Sequence, residues 1–452
     1  MTLSPSLRAA ERLRDERWNR DRWIRERMHW RACIFRQYVH LLPGETILDL
    51  GTGSGRFTEE LKTVSREENP ITAITLERAN ALQGQRFDYV VAQEIADRAS
   101  LKELLTILRQ TLNPGGTFVV FLRNRGRIGS PAALERILQE HGFLRTRAHY
   151  TDFLYSWTPR FLLPLLRGIS VILENMPLQR QGARCIWIAG QAPPPLRERH
   201  SVSLAHDQKL HQAVSIVVPC HNEEMNIGPL IAGLKAFYDP YIREFILVND
   251  NSTDRTQGVM ESLHREDPRV HIIKRSPPGG VGYALKDGIA AATSSYILTM
   301  DGDFTLLLPE LRDLFDTMAK DDIDIVYGSR FSPESILLDY PLPKILSNRL
   351  FHLLARMLLR KPIRDVTNNL KLMKLDVARK LHLTEPHFAV NAEIGLQPIL
   401  MGYNFKEVPI SWINRSADMG VSSFKLAKVG RGYLRVLWRM VRETMFGARA
   451  LS

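Results

Sequence analysis

The stretch Gly279–Thr305, GGVGYALKDGIAAATSSYILTMDGDFT, decides how the second half of this chain is read. It gives a glycine-containing loop, a helical pattern, a buried strand (SSYILTM) and then Asp301-Gly302-Asp303. Two carboxylates one residue apart at a strand end lean toward one hard cation, and Gly302 keeps the space between them open for a diphosphate. Magnesium or manganese takes such oxygen ligands and commonly shares its shell with phosphate oxygens. Asp-x-Asp alone is usually a solvated turn, so its surroundings carry the argument.

Two more strands with polar ends precede it. VSIVVPCHNEEMNIGPLIAGL (Val214–Leu234) reads as a buried strand, a polar elbow and a helix, and EFILVNDNSTDRT (Glu244–Thr256) as a strand ending in Asp250. Apolar β-branched runs alternating with helical patterns imply a parallel α/β sheet. Together these residues resemble the family 2 glycosyltransferases of the GT-A fold, over about Ala213 to Lys425. The resemblance implies that Pro219, His221, Glu223 and Asp250 face the nucleotide of a nucleoside-diphosphate sugar, and that Asp301 and Asp303 hold Mg2+ or Mn2+. VNDNS stands where the family has Val-Asp-Asp-Gly-Ser, so Asn249 replaces an acid and Asn251 a glycine.

Further stretches narrow the resemblance to the branch that glycosylates polyprenyl phosphates: YGSRF, RDVTNNLKLMKLD, FAVNAEIGLQPILMGYNFKEVPISW and NRSADMGVSSFKL. It implies Arg330 beside the acceptor, Glu393 as an acceptor-side general base, and Arg415 with Lys425 closing over the diphosphate. RDVTNN departs from the branch's Asp-x-Thr-Ser-Gly, with Asn368 and Asn369 in place of Ser and Gly. LPKILSNRLFHLLARMLLRKP (Leu342–Pro362) has basic residues flanking Leu and Met at helical spacing, as does YLRVLWRMVRETMFGARA (Tyr433–Ala450). Such helices suit a membrane interface; core packing is the alternative.

The first half opens differently. ILDLGTGSG puts Gly51, Gly53 and Gly55 directly after a strand that carries Asp49, a turn that lets backbone N–H groups approach a ligand. Arg56 stands where a dinucleotide fingerprint needs its third glycine. RFDYVVAQE, LKELLTILRQTL, NPGGTFVVFLRN, ALERILQEHGF, LRTRAHYTDFLY and ARCIWIAG follow as alternating strands and helices. The order resembles the class I S-adenosylmethionine-dependent methyltransferases over roughly Arg31 to Gly190, and implies S-adenosylmethionine as cofactor. Between Gly51 and Phe87, however, there is room for one strand–helix unit where that family has two. If ITAITLE is the third strand, Glu77 falls at the adenine-side acid and the ribose acid has no counterpart. If it is the second strand, Thr75 sits where the ribose acid belongs. The lost hydrogen bonds contribute about 1.5–3 kcal/mol. Retained methyl transfer and a non-catalytic docking module both stay open.

The expected architecture is therefore α/β: two nucleotide-binding α/β domains, a shortened methyltransferase-like (Rossmann-like) sheet at 31–190 and a GT-A sheet at 213–452. A basic helix (1–30) precedes them and a Pro-, Ser- and charge-rich linker (191–212) joins them. The helix reads as a solvated face laced with i,i+4 pairs, or as a surface for membrane or RNA. At 452 residues the chain is too long for one core. A net charge of +12 points to anionic partners; phosphates and membrane account for it, so nucleic acid is not expected. Cys33, Cys185 and Cys220 show no metal-ligand spacing, favouring a reducing compartment. FLLPLLRGISVIL is too short to span a bilayer. The expected location is the cytoplasm, peripheral at the inner face of the membrane. The expected activity is inverting, metal-dependent sugar transfer from a nucleoside-diphosphate sugar to polyprenyl phosphate or a glycan, with methylation of a glycan or small molecule as the alternative second activity.

Overall fold

A computed structural model describes the chain from 5 to 446 apart from 52–54, 83, 125–127, 154–171, 177–181, 195–206, 304–309, 321, 333, 339 and 414–425. It divides into two compact units, Met1–Glu198 and Arg199–Ser452.

In the first unit, helix α1 (Pro5–Val39) leads into strand β1 (Ile47–Gly51) and helix α2 (Arg56–Val64). Strand β2 (Ile71–Thr75), strand β3 (Phe87–Ile95), helix α3 (Arg98–Thr111), strand β4 (Leu112–Arg123), helix α4 (Pro131–Glu140), strand β5 (Leu144–Thr151) and strand β6 (Cys185–Gln191) follow. Local chemistry starts the helices: the Asp97 carboxylate accepts from Ser100 N ahead of α3, and Ser130 Oγ from Ala133 N ahead of α4. The sheet order is β2-β1-β3-β4-β6-β5. β1 through β4 run parallel, and β6 is antiparallel to both of its neighbours. Leu48, Leu50, Val90, Phe118, Val120 and Ile186 anchor its core.

Two expectations change here. β2 pairs with β1 in the register Gly51↔Thr75, so ITAIT is the second strand and Thr75 ends it level with the first glycine. Glu77 follows in an exposed 3-10 turn and, among the described residues, no further strand lies outside β2. The adenine-side assignment of Glu77 therefore fails for want of the strand that would carry it. Nor is α1 a solvated helix throughout: Trp30 to Phe35 are buried. The FLLPLLRGISVIL run lies almost wholly outside the described residues.

The second unit begins with strand β7 (Val214–Cys220), helix α5 (Ile227–Tyr238), strand β8 (Ile242–Asn249), helix α6 (Thr256–Glu266) and strand β9 (Val270–Lys274). Helix α7 (Val281–Ala291), strand β10 (Tyr296–Thr299), helix α8 (Leu311–Lys320), strand β11 (Ile325–Ser329), strand β12 (Leu337–Leu338) and helix α9 (Leu342–Leu359) come next. Strand β13 (Lys371–Lys374), helix α10 (Leu375–Arg379), helix α11 (Val390–Leu400), strands β14 (Phe405–Pro409) and β15 (Trp412–Ile413), and helix α12 (Leu426–Phe446) complete it. The seven-stranded sheet has the order β14-β11-β13-β10-β7-β8-β9, with β13 antiparallel to β10 and β11. Strand order reverses at β7, and open α/β sheets bind ligands outside the carboxyl ends of the strands flanking such a reversal. The ends of β8 and β10, on either side of β7, carry Asp250 and Asp301.

Candidate active site

The elbow after β7 is tied to the end of β8. His221 Nδ1 lies 2.8 Å from Asp250 O, Asn222 N donates to Ser252 Oγ at 3.1 Å, and Glu223 N to Thr256 Oγ1 at 2.8 Å. Pro219 pairs in register with Val248 on β8. Glu223 also reaches the acidic turn: a Cβ placed on Gly302 would lie 3.2 Å from Glu223 Cγ, so glycine lets the elbow close on Asp301-Gly302-Asp303. The structure thus brings Pro219, His221, Glu223, Asp250, Asp301 and Asp303 to one sheet edge.

Asp250 is already engaged there. Arg275 Nη1 donates to its Oδ1 at 2.6 Å and Gly280 N to its Oδ2 at 2.6 Å. Arg275 was not distinguishable in the sequence from other surface arginines, because its partner lies 25 residues away. Gly282 N in turn donates to Pro386 O at 2.9 Å. An added Cβ on Gly282 would meet Glu385 O at 1.9 Å. The glycine loop is therefore clamped between Asp250 and residues 385–387.

At the acidic pair, Asn369 Nδ2 donates to Asp301 Oδ1 at 2.9 Å. Burial first, and the like charge of Asp303 second, push the Asp301 carboxyl up to about 6. The buried Asp301 carboxyl next to Asp303, beside the buried and unpartnered Asn369 Oδ1, fits a divalent cation well. Asp301 and Asp303 are the residues that would hold it.

Two predicted residues have other work. Arg330, expected beside the acceptor, is 7% exposed and forks onto Asp365, with Nε–Oδ2 at 2.7 Å and Nη2–Oδ1 at 2.9 Å. It also donates to Tyr340 Oη and Thr367 Oγ1. Burial opposes charge on both partners, but their mutual attraction wins, holding Arg330 above its usual range and Asp365 below its own. Arg330 anchors the turn before β13. Glu393, expected as a general base, is fully buried. Its carboxylate accepts from Thr384 N at 3.0 Å, Thr384 Oγ1 at 2.7 Å, Glu385 N at 3.1 Å, and Arg439 of α12. With its lone pairs committed to fixed donors, it is a clamp on the 384–387 loop. Arg415 and Lys425 lie outside the described residues. Lys371, which the sequence did not single out, is buried near Asp365, Arg330 and Asp301; desolvation lowers its ammonium to about 7.

α9 has two apolar faces. Ile345, Phe351, Ala355 and Leu359 are buried, whereas Leu346, Leu350, Leu353 and Met357, spaced 4, 3 and 4 apart, are exposed. Phe351 meets Tyr433 of α12 edge-on at 5.4 Å, and α12 exposes Leu434 and Trp438. Core packing and an unpartnered outer stripe therefore coexist. Among the described residues no helix is long and apolar enough to cross a membrane.

In the first unit, Asp49 is buried. Thr58 Oγ1 donates to its Oδ2 at 2.7 Å, its Oδ1 has no hydrogen-bond partner, and desolvation raises the carboxyl to about 6. Gly55, with φ of 68°, starts α2, and Gly53 lies outside the described residues. At the carboxyl end of β3, Arg31 of α1 donates to Gln93 at 3.2 Å and to Glu94 at 2.7 Å, and Arg123 also donates to Glu94. Although burial works against it, Glu94 is held down to about 2 by Arg31 and Arg123.

Residues 215–381 match the family model described as "Glycosyl transferase family 2". The C-terminal half therefore carries a family 2 glycosyltransferase domain. The chain is 26% identical over 247 residues to a polyprenol monophosphomannose synthase of Mycolicibacterium smegmatis, a match covering 53% of this chain and 91% of the relative. It is 25% identical over 224 residues to a dolichyl-phosphate hexose transferase of Haloferax volcanii, covering 49% and 93%. Among solved structures, the glucosyl-3-phosphoglycerate synthase of Mycobacterium tuberculosis aligns at 17% identity and a TM-score of 0.43, covering 54% of this chain and 87% of that one.

Proposed function

We propose that the C-terminal unit transfers a sugar from a nucleoside-diphosphate sugar to a polyprenyl phosphate, with inversion at the anomeric carbon and with a divalent cation. The observation that carries this reading is the convergence of Glu223, Asp250, Asp301 and Asp303 at the carboxyl edge where strand order reverses. The names of two relatives, a polyprenol monophosphomannose synthase and a dolichyl-phosphate hexose transferase, support the acceptor class.

The elbow and Asp250 orient the nucleotide and bring its diphosphate beside Asp301 and Asp303, while Gly302 lets Glu223 pack against that acidic turn. Asp301 and Asp303 would hold the cation, which would supply positive charge against the diphosphate as it departs. An acceptor-phosphate oxygen attacks the anomeric carbon opposite the leaving group; the bond to the diphosphate breaks as the new C–O bond forms. That oxygen is already anionic and surrenders no proton. The commitment of Glu393 to four donors favours this acceptor over a sugar hydroxyl, which would need a free base. The outer stripe of α9 and the exposed Leu434 and Trp438, flanked by Lys344, Arg356, Arg360 and Arg435, suit a peripheral contact with an anionic bilayer, where a polyprenyl phosphate resides.

For the N-terminal unit we propose a non-catalytic module. Thr75 offers no carboxylate to a ribose, and Arg31 occupies the polar groups at the end of β3.

Calorimetric titration of the full chain tests both readings. Uridine or guanosine diphosphate should bind with Mn2+ and lose binding in Asp303→Ala, and labelled sugar should pass to polyprenyl phosphate in vesicles. Metal-independent nucleotide binding refutes the first reading. Micromolar binding of S-adenosylmethionine refutes the second.

A further inference from the structure

We infer that Asn369 is a third protein ligand of the cation, contributing its amide oxygen alongside Asp301 and Asp303. The inference rests on the glycosyltransferase reading above and concerns a residue that replaces the glycine of the motif the chain otherwise resembles.

Asn369 is 2% exposed. Its Nδ2 donates to Asp301 Oδ1 at 2.9 Å, while its Oδ1 is buried with no hydrogen-bond partner. Oδ1 makes no hydrogen bond that turning the amide would break. The backbone around it is pinned: Thr299 Oγ1 donates to Asn369 O at 2.6 Å, Asn368 Nδ2 to Gly328 O at 3.1 Å, and Lys371 Nζ to Asn368 O. What remains free is the amide's own torsion, which is broad and roughly two-fold.

Turning the amide by half a revolution puts Oδ1 where Nδ2 stands, about 2.9 Å from the Asp301 oxygen. Two bare oxygens at that spacing repel one another unless a cation sits between them. Octahedral magnesium, with oxygens at about 2.0–2.1 Å, sets adjacent ligands about 2.9 Å apart. The same side chain then serves two states, donating to Asp301 without metal and ligating with it. Among the described residues no group of three or more His, Cys, Asp or Glu is placed to hold a metal. Among the described residues Asn369 brings a neutral side-chain oxygen to this site, and it is in contact with Asp301.

The test titrates the full chain with Mn2+ alone and reads free Mn2+ by its electron paramagnetic resonance signal. Wild type should bind, Asp303→Ala should not, Asn369→Ala should bind about tenfold more weakly or worse, and Asn369→Asp should bind at least as tightly as wild type. Circular dichroism establishes that each variant folds, and Asn369→Asp keeps the test open if the alanine variant does not. Asn369→Ala binding Mn2+ as tightly as wild type, with Asp303→Ala silent, overturns the ligand role and leaves the glycosyltransferase reading standing. Equal binding by wild type and Asp303→Ala overturns both.

Discussion

Replacing Glu393 by Gln separates a general base from a clamp. The substitution is nearly isosteric, so a base would be lost without disturbing the fold, and kcat would fall by roughly 10²–10⁴ at unchanged stability. The structure predicts otherwise. The carboxylate receives Thr384 N, Thr384 Oγ1, Glu385 N and Arg439. Glutamine keeps one acceptor oxygen and turns an NH2 group toward donors. Hydrogen bonds to a charged group contribute about 1.5–3 kcal/mol each, and removing one partner of a buried pair costs about 3–5 kcal/mol. Arg439 keeps some contact with water, its side chain being 24% exposed, so we set the loss near the low end, at about 3 kcal/mol. At 1.36 kcal/mol per decade that is roughly a 150-fold shift toward local opening. Hydrogen–deuterium exchange of peptides spanning 384–400 measures it directly. A double-mutant cycle with Arg439→Gln should show coupling of about 1 kcal/mol or more. Wild-type protection at 384–400 in Glu393→Gln, together with a collapse of kcat, would refute the clamp.

Gly282→Ala should weaken nucleoside diphosphate binding at least tenfold in calorimetry. Its methyl would displace Glu385 O, and overpacking of this kind costs about 1–3 kcal/mol; unchanged binding would mean the loop is not held as described. His352 provides a pH test. It is buried and neutral, taking a hydrogen bond from Val366 N on Nε2 and facing Asn348 O through Nδ1, and desolvation lowers it to about 4. The unfolded chain protonates it below about 6.5 and the folded chain only below about 4. Its stabilising contribution is therefore present above pH 6.5 and lost as pH falls toward 4. The stability advantage of wild type over His352→Gln should shrink by about 3 kcal/mol across that window; an advantage independent of pH would mean that the folded imidazole titrates as in the unfolded chain, and one that grows as pH falls would place a charged imidazole beside Asp365. Leu350→Glu with Trp438→Glu should reduce sedimentation with anionic vesicles at least thirtyfold, since Leu350 is 57% and Trp438 68% exposed and each buries about 1–2 kcal/mol of apolar surface. Equal sedimentation would remove α9 and α12 from the membrane contact.

What was legible in the sequence was local. The β-branched runs before Pro219, Asp250 and Asp301 mark strands, and the polar residues directly after them mark strand ends. A parallel sheet gathers such ends on one edge whatever the remaining packing. The same logic showed that the 36-residue step from Gly51 to Phe87 holds too little chain for two strand–helix units. Which strand survived was a matter of pairing, and only the register Gly51↔Thr75 decided it. The roles of Arg330, Glu393 and Asn369 were tertiary for the same reason. Their partners lie 35, 46 and 68 residues away, and a charged or amide side chain is free for chemistry or consumed by structure according to who stands within 3 Å. Sequence supplies the functional group; the fold decides whether its hydrogen bonds are already spent.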